Sequence, residues 1–418
     1  MSRSPHTESQ VAANIQQEII NLAALTPVRS AFQWFHSRES QIAQWQMELA
    51  KIPAPPFGEA ARSKWLEERF RELELQGVHI DEVGNVLGWR SGVGEQCIAL
   101  SAHIDTVFPT GTPLNIRQQG SRLYGPGISD NGAGVAALLA IIAVLRGAQF
   151  PQSLPILFIG NVGEEGEGDL RGMRRIFADD KYKNSIMGSL ILDGAGSDTI
   201  VAEALGSRRF EVIVRGPGGH SWSDFGTPNP IVVLARAIQT FAQTSISASP
   251  KTTFNIGVIR GGTSVNSIPE SASMRVDIRS TSMDEMERLE HALRLALERS
   301  IEQESEIFLK RASSRRNSGL SSEVVPIGNR PAGELDSKAR ILQIIRAVDA
   351  HLGNSAQIQR ASTDANIPLS LGREAIAIGG GGTGGGAHTL QEWFDCKGRE
   401  LGLKRILLTL LALAGVSE

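Results

Sequence analysis

The chain has 418 residues, 41% of them hydrophobic, and its 42 Lys and Arg against 45 Asp and Glu leave a formal charge of −3. Such a length accommodates two or three domains of roughly 100–200 residues, and without a basic excess a nucleic-acid partner is not expected. Cys97 and Cys396 are too few for a disulfide framework or a Cys-rich zinc site. Any metal must therefore lie among carboxylates and the eight histidines. Glycine is abundant, 44 residues, and clustered: seven of the eight positions 379–386 are glycine.

The opening MSRSPHTESQ is polar and lacks the apolar core of a signal peptide. The apolar stretches 133–145 and 406–416 fall short of the ~20 residues that cross a bilayer. Both are expected as buried helices of a soluble, cytoplasmic protein with no membrane partner.

Taken in chain order, about the first 90 residues are expected to be helical. Pro53, Pro55 and Pro56 break the pattern, and Trp65, Leu66, Phe70 and Leu73 then share one helix face. From about residue 97, apolar strands (97–102, 154–159, 190–192 and 375–378) alternate with helices, the longest following Gly134. Continuous apolar runs separated by helices predict a mostly parallel, doubly wound α/β sheet covered on both faces.

Between these blocks the texture changes. Residues 209–215 alternate, a helix is expected near 231–241, and strands at 253–259 and 272–278. Ser282 and Glu285 form a possible capping box for a helix with Met286, Leu289, Leu293 and Leu297 on one stripe. Residues 306–310 are expected as a last strand. Strand–helix–strand–strand–helix–strand is the ferredoxin-like order. The expected division is a catalytic domain of residues 1–206 with 326–418, and an inserted α+β domain of residues 207–325.

Metal-capable side chains follow strand ends or open helices. His103 stands in SAHIDTVFP, Asp130 in GPGISDNGAG, Glu164 and Glu165 in GNVGEEGEG, Asp193 in ILDGAG, and His388 in GGGAHTLQEWFD. In a doubly wound sheet, residues just past strand C-termini converge on one edge. Two His and three carboxylates meeting there suit two divalent ions, and a mixed N/O set suits zinc. Singly, each has an ordinary reading: a loop histidine, a helix N-cap, a turn, a solvated acidic loop. Their joint placement is what speaks for a metal site.

These motifs resemble the dinuclear zinc metallopeptidases that include carboxypeptidase G, aminoacylase, acetylornithine deacetylase, peptidase T and carnosinase, from about residue 40 to the C-terminus. The resemblance implies two Zn2+ per subunit, with Co2+ or Mn2+ as substitutes. It further implies that Asp130 bridges them, with His103 and Asp193 completing one site and Glu165 and His388 the other. Asp105 matches the carboxylate that orients the first His ligand, and Glu164 the general base that relays a proton to the leaving amine. His220, in RGPGGHSWSDFGTPNP, matches a His that reaches a partner subunit's site and helps hold the oxyanion; a homodimer through the inserted domain follows. Asn266 matches a substrate contact and Arg279 a residue that pairs with a substrate carboxylate; a turn residue and an interdomain ion pair are the alternatives. Trp222 and Phe225 either line a specificity pocket or pack the inserted domain.

Two departures bear on substrate. Deacylases and carboxypeptidases of that family usually carry Glu where this chain has Asp193; Asp there resembles members acting on peptides with a free amino end. Asn131 follows the bridging Asp where many relatives have an acidic residue, Met or Lys. The expectation is a hydrolase of small peptides, aminopeptidase- or tripeptidase-like. The alternatives are an N-acyl amino acid amidohydrolase or carboxypeptidase of the same family, and a catalytically silent ligand-binding relative. A nucleotide site in the glycine run is discounted, because no Lys-Ser/Thr follows it.

Overall fold

The computed structural model describes residues 5–147, 150, 152–311 and 318–415. The chain divides into two compact units, one formed by the chain up to Ala204 and from Gly333 onward, the other by Leu205–Ala332.

The first unit is built on a nine-stranded sheet. Strand Cys97–His103 lies in parallel between Ile156–Asn161 and Ile186–Leu192, and Glu374–Ile378 extends this parallel block. Covered on both faces, these strands are nearly all buried, hence their continuous apolar sequences.

The sheet is mixed rather than mostly parallel. Val86–Arg90 runs antiparallel to Ile156–Asn161 and to Gln76–Ile80, and Thr199–Ala204 is antiparallel to Glu374–Ile378 and Gly333–Glu334. The reason at the first edge is a tight hairpin, which can only be antiparallel. Its turn is closed by the Asp81 carboxylate, which accepts the N–H groups of Val83, Gly84 and Asn85. This hairpin also corrects the all-helical reading of the first 90 residues: helices Pro5–Ala24, Thr26–Ser37, Glu39–Ala50 and Ala60–Glu72 precede two strands.

One core fills the face of the sheet against which Gly132–Gly147, Arg340–Leu352 and Arg399–Ala414 pack. No polar side chain interrupts 133–145, and a helix apolar all round is a buried one. In Arg399–Ala414, Leu407, Leu408, Leu410 and Leu411 are likewise buried; residue 416 of the apolar stretch lies outside the described residues. Inside this layer Arg405 makes a bidentate pair with Asp349, at 2.6 and 2.9 Å. Cys97 and Cys396 are free thiols. Among the described residues no helix is long and apolar enough to cross a membrane.

The second unit is a four-stranded antiparallel sheet in the order Thr252–Gly261, Ser271–Ser280, Gly206–Arg215, Ser321–Arg330. Helices Pro230–Ala242 and Met283–Arg311 share its core, where Met286, Leu289, Leu293 and Leu297 meet Phe210, Val212 and Val214. Ser282 caps the second helix by accepting the Glu285 N–H at 3.3 Å. Residues 306–310 are not a strand. With no Gly or Pro to stop it, the helix runs on to Arg311. The last strand is Ser321–Arg330, paired with Gly206–Arg215, and so residues 326–332 belong to this unit.

Candidate metal centre

Parallel register gathers the site. His103 is opposite Asn161, Ala102 opposite Leu192, and Leu192 opposite Ile378, so four chain segments leave the sheet side by side. His103 ends its own strand, Asp193 follows Leu192, Glu164 and Glu165 follow the strand at Asn161, and His388 follows the glycine run after Ile378.

Among the described residues three groups of candidate ligands result, His103–Glu164–Glu165 and two trios that share Asp130. His103 Nε2 lies 3.3 Å from Asp130 Oδ1 and 3.7 Å from Asp193 Oδ1. His388 Nε2 lies 3.1 Å from Asp130 Oδ2 and 3.1 Å from Glu165 Oε1. Within each trio the ligand atoms are no more than 4.8 Å apart. Glu164 offers a carboxylate oxygen within 4.8 Å of a His103 ring nitrogen and of Glu165, and is itself buried. His388 takes its place with a left-handed backbone, φ 64°, a conformation uncommon outside glycine and kept at functional sites when surroundings enforce it.

Asp105 organises the same edge from beneath. It is fully buried, faces His103 Nδ1 at 3.5 Å, and accepts the N–H groups of Glu164 and Glu165 at 3.0 and 2.8 Å. Burial alone would raise its pKa, but His103 and these N–H groups outweigh burial and hold it below the usual carboxylate range. His103 is likewise buried, yet Asp105, Asp130 and Asp193 raise its pKa well above an ordinary imidazole. At His388, hydrogen bonds with Asp130 and Glu165 push the value up to about 10.

Several supporting residues escape a reading by sequence. Glu392, wholly buried, accepts the N–H groups of Gly127, Ser129 and Asp130, each at 2.7 Å. Burial nonetheless raises its pKa to about 7. Asn131 donates to the carbonyls of Leu192 at 2.9 Å and His103 at 3.3 Å, and accepts from Gly194 and Gly134 at 2.9 and 3.1 Å. It thus ties three ligand-bearing segments together, which explains an amide where a charge would meet none of these partners so well. Arg62 donates to the carbonyls of Ile52 and Ile104, both at 2.8 Å; its burial lowers the pKa to about 10, against the attraction of Asp105 and Glu392. Asp364, also buried, accepts from Asn161 at 2.6 Å and is raised by burial to about 7. The signal for Glu392 was its position four residues after His388; Arg62 and Asp364 carried none.

This donor set fits divalent cations. Five carboxylates (Asp105, Asp130, Glu164, Glu165, Asp193) meet two imidazoles, and the Asp130 oxygens are divided between the trios. Buried like charges at this density need compensating cations.

The glycine run borders a cavity of about 390 Å3 lined by Asp130, Asp193, Asp198 and residues 383–387. Most of the run is glycine for packing: a Cβ on Gly379, Gly380 or Gly381 would lie 2.4 to 2.7 Å from carbonyl oxygens of Ala195, Ala133 or Arg399. Only its end, 383–386, faces the cavity.

The other predicted residues belong to the second unit. His220 pairs across with Ser267, and the Asn266 carbonyl accepts the Ser221 N–H at 3.0 Å, so His220 and Asn266 share one loop cluster. His220 Nδ1 accepts the Trp222 N–H at 3.1 Å, which assigns the remaining proton to Nε2 and makes it a donor. Arg279 donates to Asp277 at 2.7 Å, and Asp277 also accepts from Arg209. Its ion pair is therefore within the unit. Trp222 and Phe225 are 87% and 81% exposed and do not pack the unit's core.

The ends of the parallel strands thus gather histidines and carboxylates in groups that could hold metal ions. The chain belongs to Peptidase family M20/M25/M40, which matches residues 99–412. It is 25% identical over 231 residues to carboxypeptidase G2 of Pseudomonas sp. (strain RS-16), covering 53% of this chain and 55% of that one. It is 26% identical over 225 residues to a probable succinyl-diaminopimelate desuccinylase of Staphylococcus aureus (strain MRSA252), covering 45% and 54%. The alignments thus span about half the length of these curated relatives. Its fold is similar to that of aminopeptidase PepT from Bacillus cereus ATCC 10987, with TM-score 0.69, 21% identity, and coverage of 90% of this chain and 99% of that one.

Proposed function

We propose that this chain is a dinuclear metallopeptidase that releases residues from the N-terminus of di- or tripeptides. One observation carries it: Asp130 turns Oδ1 to His103 and Oδ2 to His388, so one carboxylate serves two trios. In this reading His103, Asp130 and Asp193 hold one ion, and Asp130, Glu165 and His388 the other. The N/O donor set suits Zn2+, with Co2+ or Mn2+ as substitutes. Bound ions supply Lewis-acid polarisation of the scissile carbonyl and a lowered pKa for the attacking water.

The chain's own residues do the rest. Asp105 fixes the His103 ring through Nδ1 and holds the Glu164–Glu165 turn by its backbone. Glu164, next to a ligand but outside both trios, takes the proton of the attacking water and delivers it to the leaving amine. For the second unit the proposal is a lid and dimerisation role, in which Nε2–H of His220 donates to the oxyanion in a partner subunit's site and Asn266 and Arg279 contact substrate. Mixing His220→Ala with Glu164→Ala subunits tests this: recovered activity supports action in trans, and no recovery removes it.

Asp193 in place of Glu favours peptides with a free amino end. The rival reading, hydrolysis of N-acyl amino acids or a carboxypeptidase activity, is favoured by the names of the two curated relatives. A panel of free tripeptides against N-acetyl amino acids decides, and preference for the acyl substrates overturns the peptidase proposal. A catalytically silent relative has no need of Glu164; turnover lost in Glu164→Ala with metal retained excludes it.

A further inference from the structure

The cavity beside the two trios has a one-sided charge. Its lining includes Asp130, Asp193 and Asp198 but no Lys, Arg or His; the remainder is glycine, alanine, Ser129 and Thr383. At about 390 Å3 it has the size of a small-ligand pocket. Asp130 and Asp193 are committed to the proposed ions, which leaves Asp198, solvent-exposed at the cavity wall, as the acidic side chain not assigned to them.

Asp198 is held for such a task. The segment 194–196 is zipped to the glycine run: Gly380 N–H donates to Gly194, while Gly196 and Gly381 exchange N–H···O bonds at 3.1 Å. On the far side the Ser197 carbonyl accepts from Asn354 at 2.7 Å and that of Asp198 from Gln357 at 2.8 Å. The carboxylate folds back over Gly196, where a Cβ would lie 3.0 Å from Oδ1. Among the described residues it has no hydrogen-bond or ion-pair partner. A fixed backbone with an unpaired carboxylate at a cavity wall is preorganised to take a cation.

We infer that Asp198 is a specificity-determining residue that selects substrates carrying a protonated amine on the acyl side of the scissile bond. The inference rests on the proposed amide hydrolysis and narrows its substrate class. The amine is either the free α-amino group of the first residue or a basic side chain on it. A neutral acetyl group gains nothing from Asp198, and a succinyl carboxylate is repelled by it.

The test separates this inference from the reading beneath it. Binding of Ala-Ala-Ala, N-acetyl-Ala-Ala-Ala and N-acetyl-Lys-Ala-Ala is measured by calorimetry on the Zn2+-loaded Glu164→Gln chain, with Asp198 intact and as Asp198→Asn. At least one amine-bearing peptide should bind about two- to fivefold tighter than N-acetyl-Ala-Ala-Ala, the range of an exposed ion pair. That preference should vanish in Asp198→Asn and shrink with added salt. Tighter binding of Ala-Ala-Ala assigns the α-amine, and of N-acetyl-Lys-Ala-Ala the side chain. Equal binding of all three, or a preference that survives Asp198→Asn, overturns the inference. Turnover of the same peptides by the Glu164 chain reads the hydrolase proposal separately, because the binding ratio does not depend on catalysis.

Discussion

Glu392 and Asp130 are joined through the backbone: a fully buried carboxylate accepts the Asp130 N–H at 2.7 Å and, with its two oxygens, those of Ser129 and Gly127 as well. Because Glu392 follows His388 by four residues, the segment that brings one trio its histidine also fixes the loop carrying the carboxylate common to both. Glu392→Gln keeps the shape but turns an acceptor into a donor facing an N–H. Metal affinity, read by competition with a chelator, should fall about 10–100-fold, as for other residues that orient ligands. Unchanged affinity beside a lowered melting temperature would reduce Glu392 to a structural role.

His388 gives the metal-free protein a signature in pH. Asp130 and Glu165 raise its folded pKa to about 10, above the unfolded value near 6.5. Its stabilising contribution is therefore complete below about pH 6.5 and is lost as pH rises through about 10. The melting temperature of chelator-treated protein should decline across that window, and His388→Ala should flatten the decline. Equal slopes for both chains would show that His388 is not held by the two carboxylates. Loading with Zn2+ at pH 7.5 should also release protons, visible as a buffer-dependent heat of binding.

At Gly381, φ is +86° and a Cβ would lie 2.4 Å from the Arg399 carbonyl oxygen. Backbone strain and a backbone clash act together there, so Gly381→Ala should cost roughly 2 kcal/mol or more in denaturant unfolding. Gly194 also has a positive φ, of 67°, but has nothing within 4 Å of its Cβ position; its alanine variant should lose only about half as much. Equal losses would mean that close packing is not what demands glycine in the run.

Arg405 and Asp349 form a bidentate pair buried among helices. Asp349→Ala leaves an unpaired guanidinium in the core and should destabilise by roughly 3–5 kcal/mol. Arg405→Met with Asp349→Leu removes both charges and should recover much of that loss. A double variant no more stable than Asp349→Ala would contradict this account of the pair.

Much of the first unit was legible because burial writes directly into sequence. The runs around Leu100, Phe158, Leu190 and Ile376 are strands buried on both faces, and Ala133 to Leu145 admits only a buried helix. Residues 76–90 were misread because Gln76–Ile80 is a partly exposed edge strand and the hairpin's signal lies in one turn at Asp81. The apolar trio Ile307, Phe308 and Leu309 mimicked a strand but continues a helix that nothing interrupts. At the centre, His103, Asp130, Asp193 and His388 stand out because chemistry at strand ends is rare in ordinary packing. Arg62 and Asp364 act through backbone groups or burial made by distant segments, and no local pattern announces such contacts; Asn131 stood out only as a departure from the family pattern, and Glu392 only by following His388.

The central claim is that Asp130 is common to two ion sites, and counting bound ions tests it most directly. Elemental analysis of Zn2+-saturated, desalted protein should give two ions per chain for the parent and for Glu164→Gln, one for His388→Ala, and none or nearly none for Asp130→Ala. One ion in the parent chain, or one retained by Asp130→Ala, would contradict a shared carboxylate and the dinuclear mechanism with it.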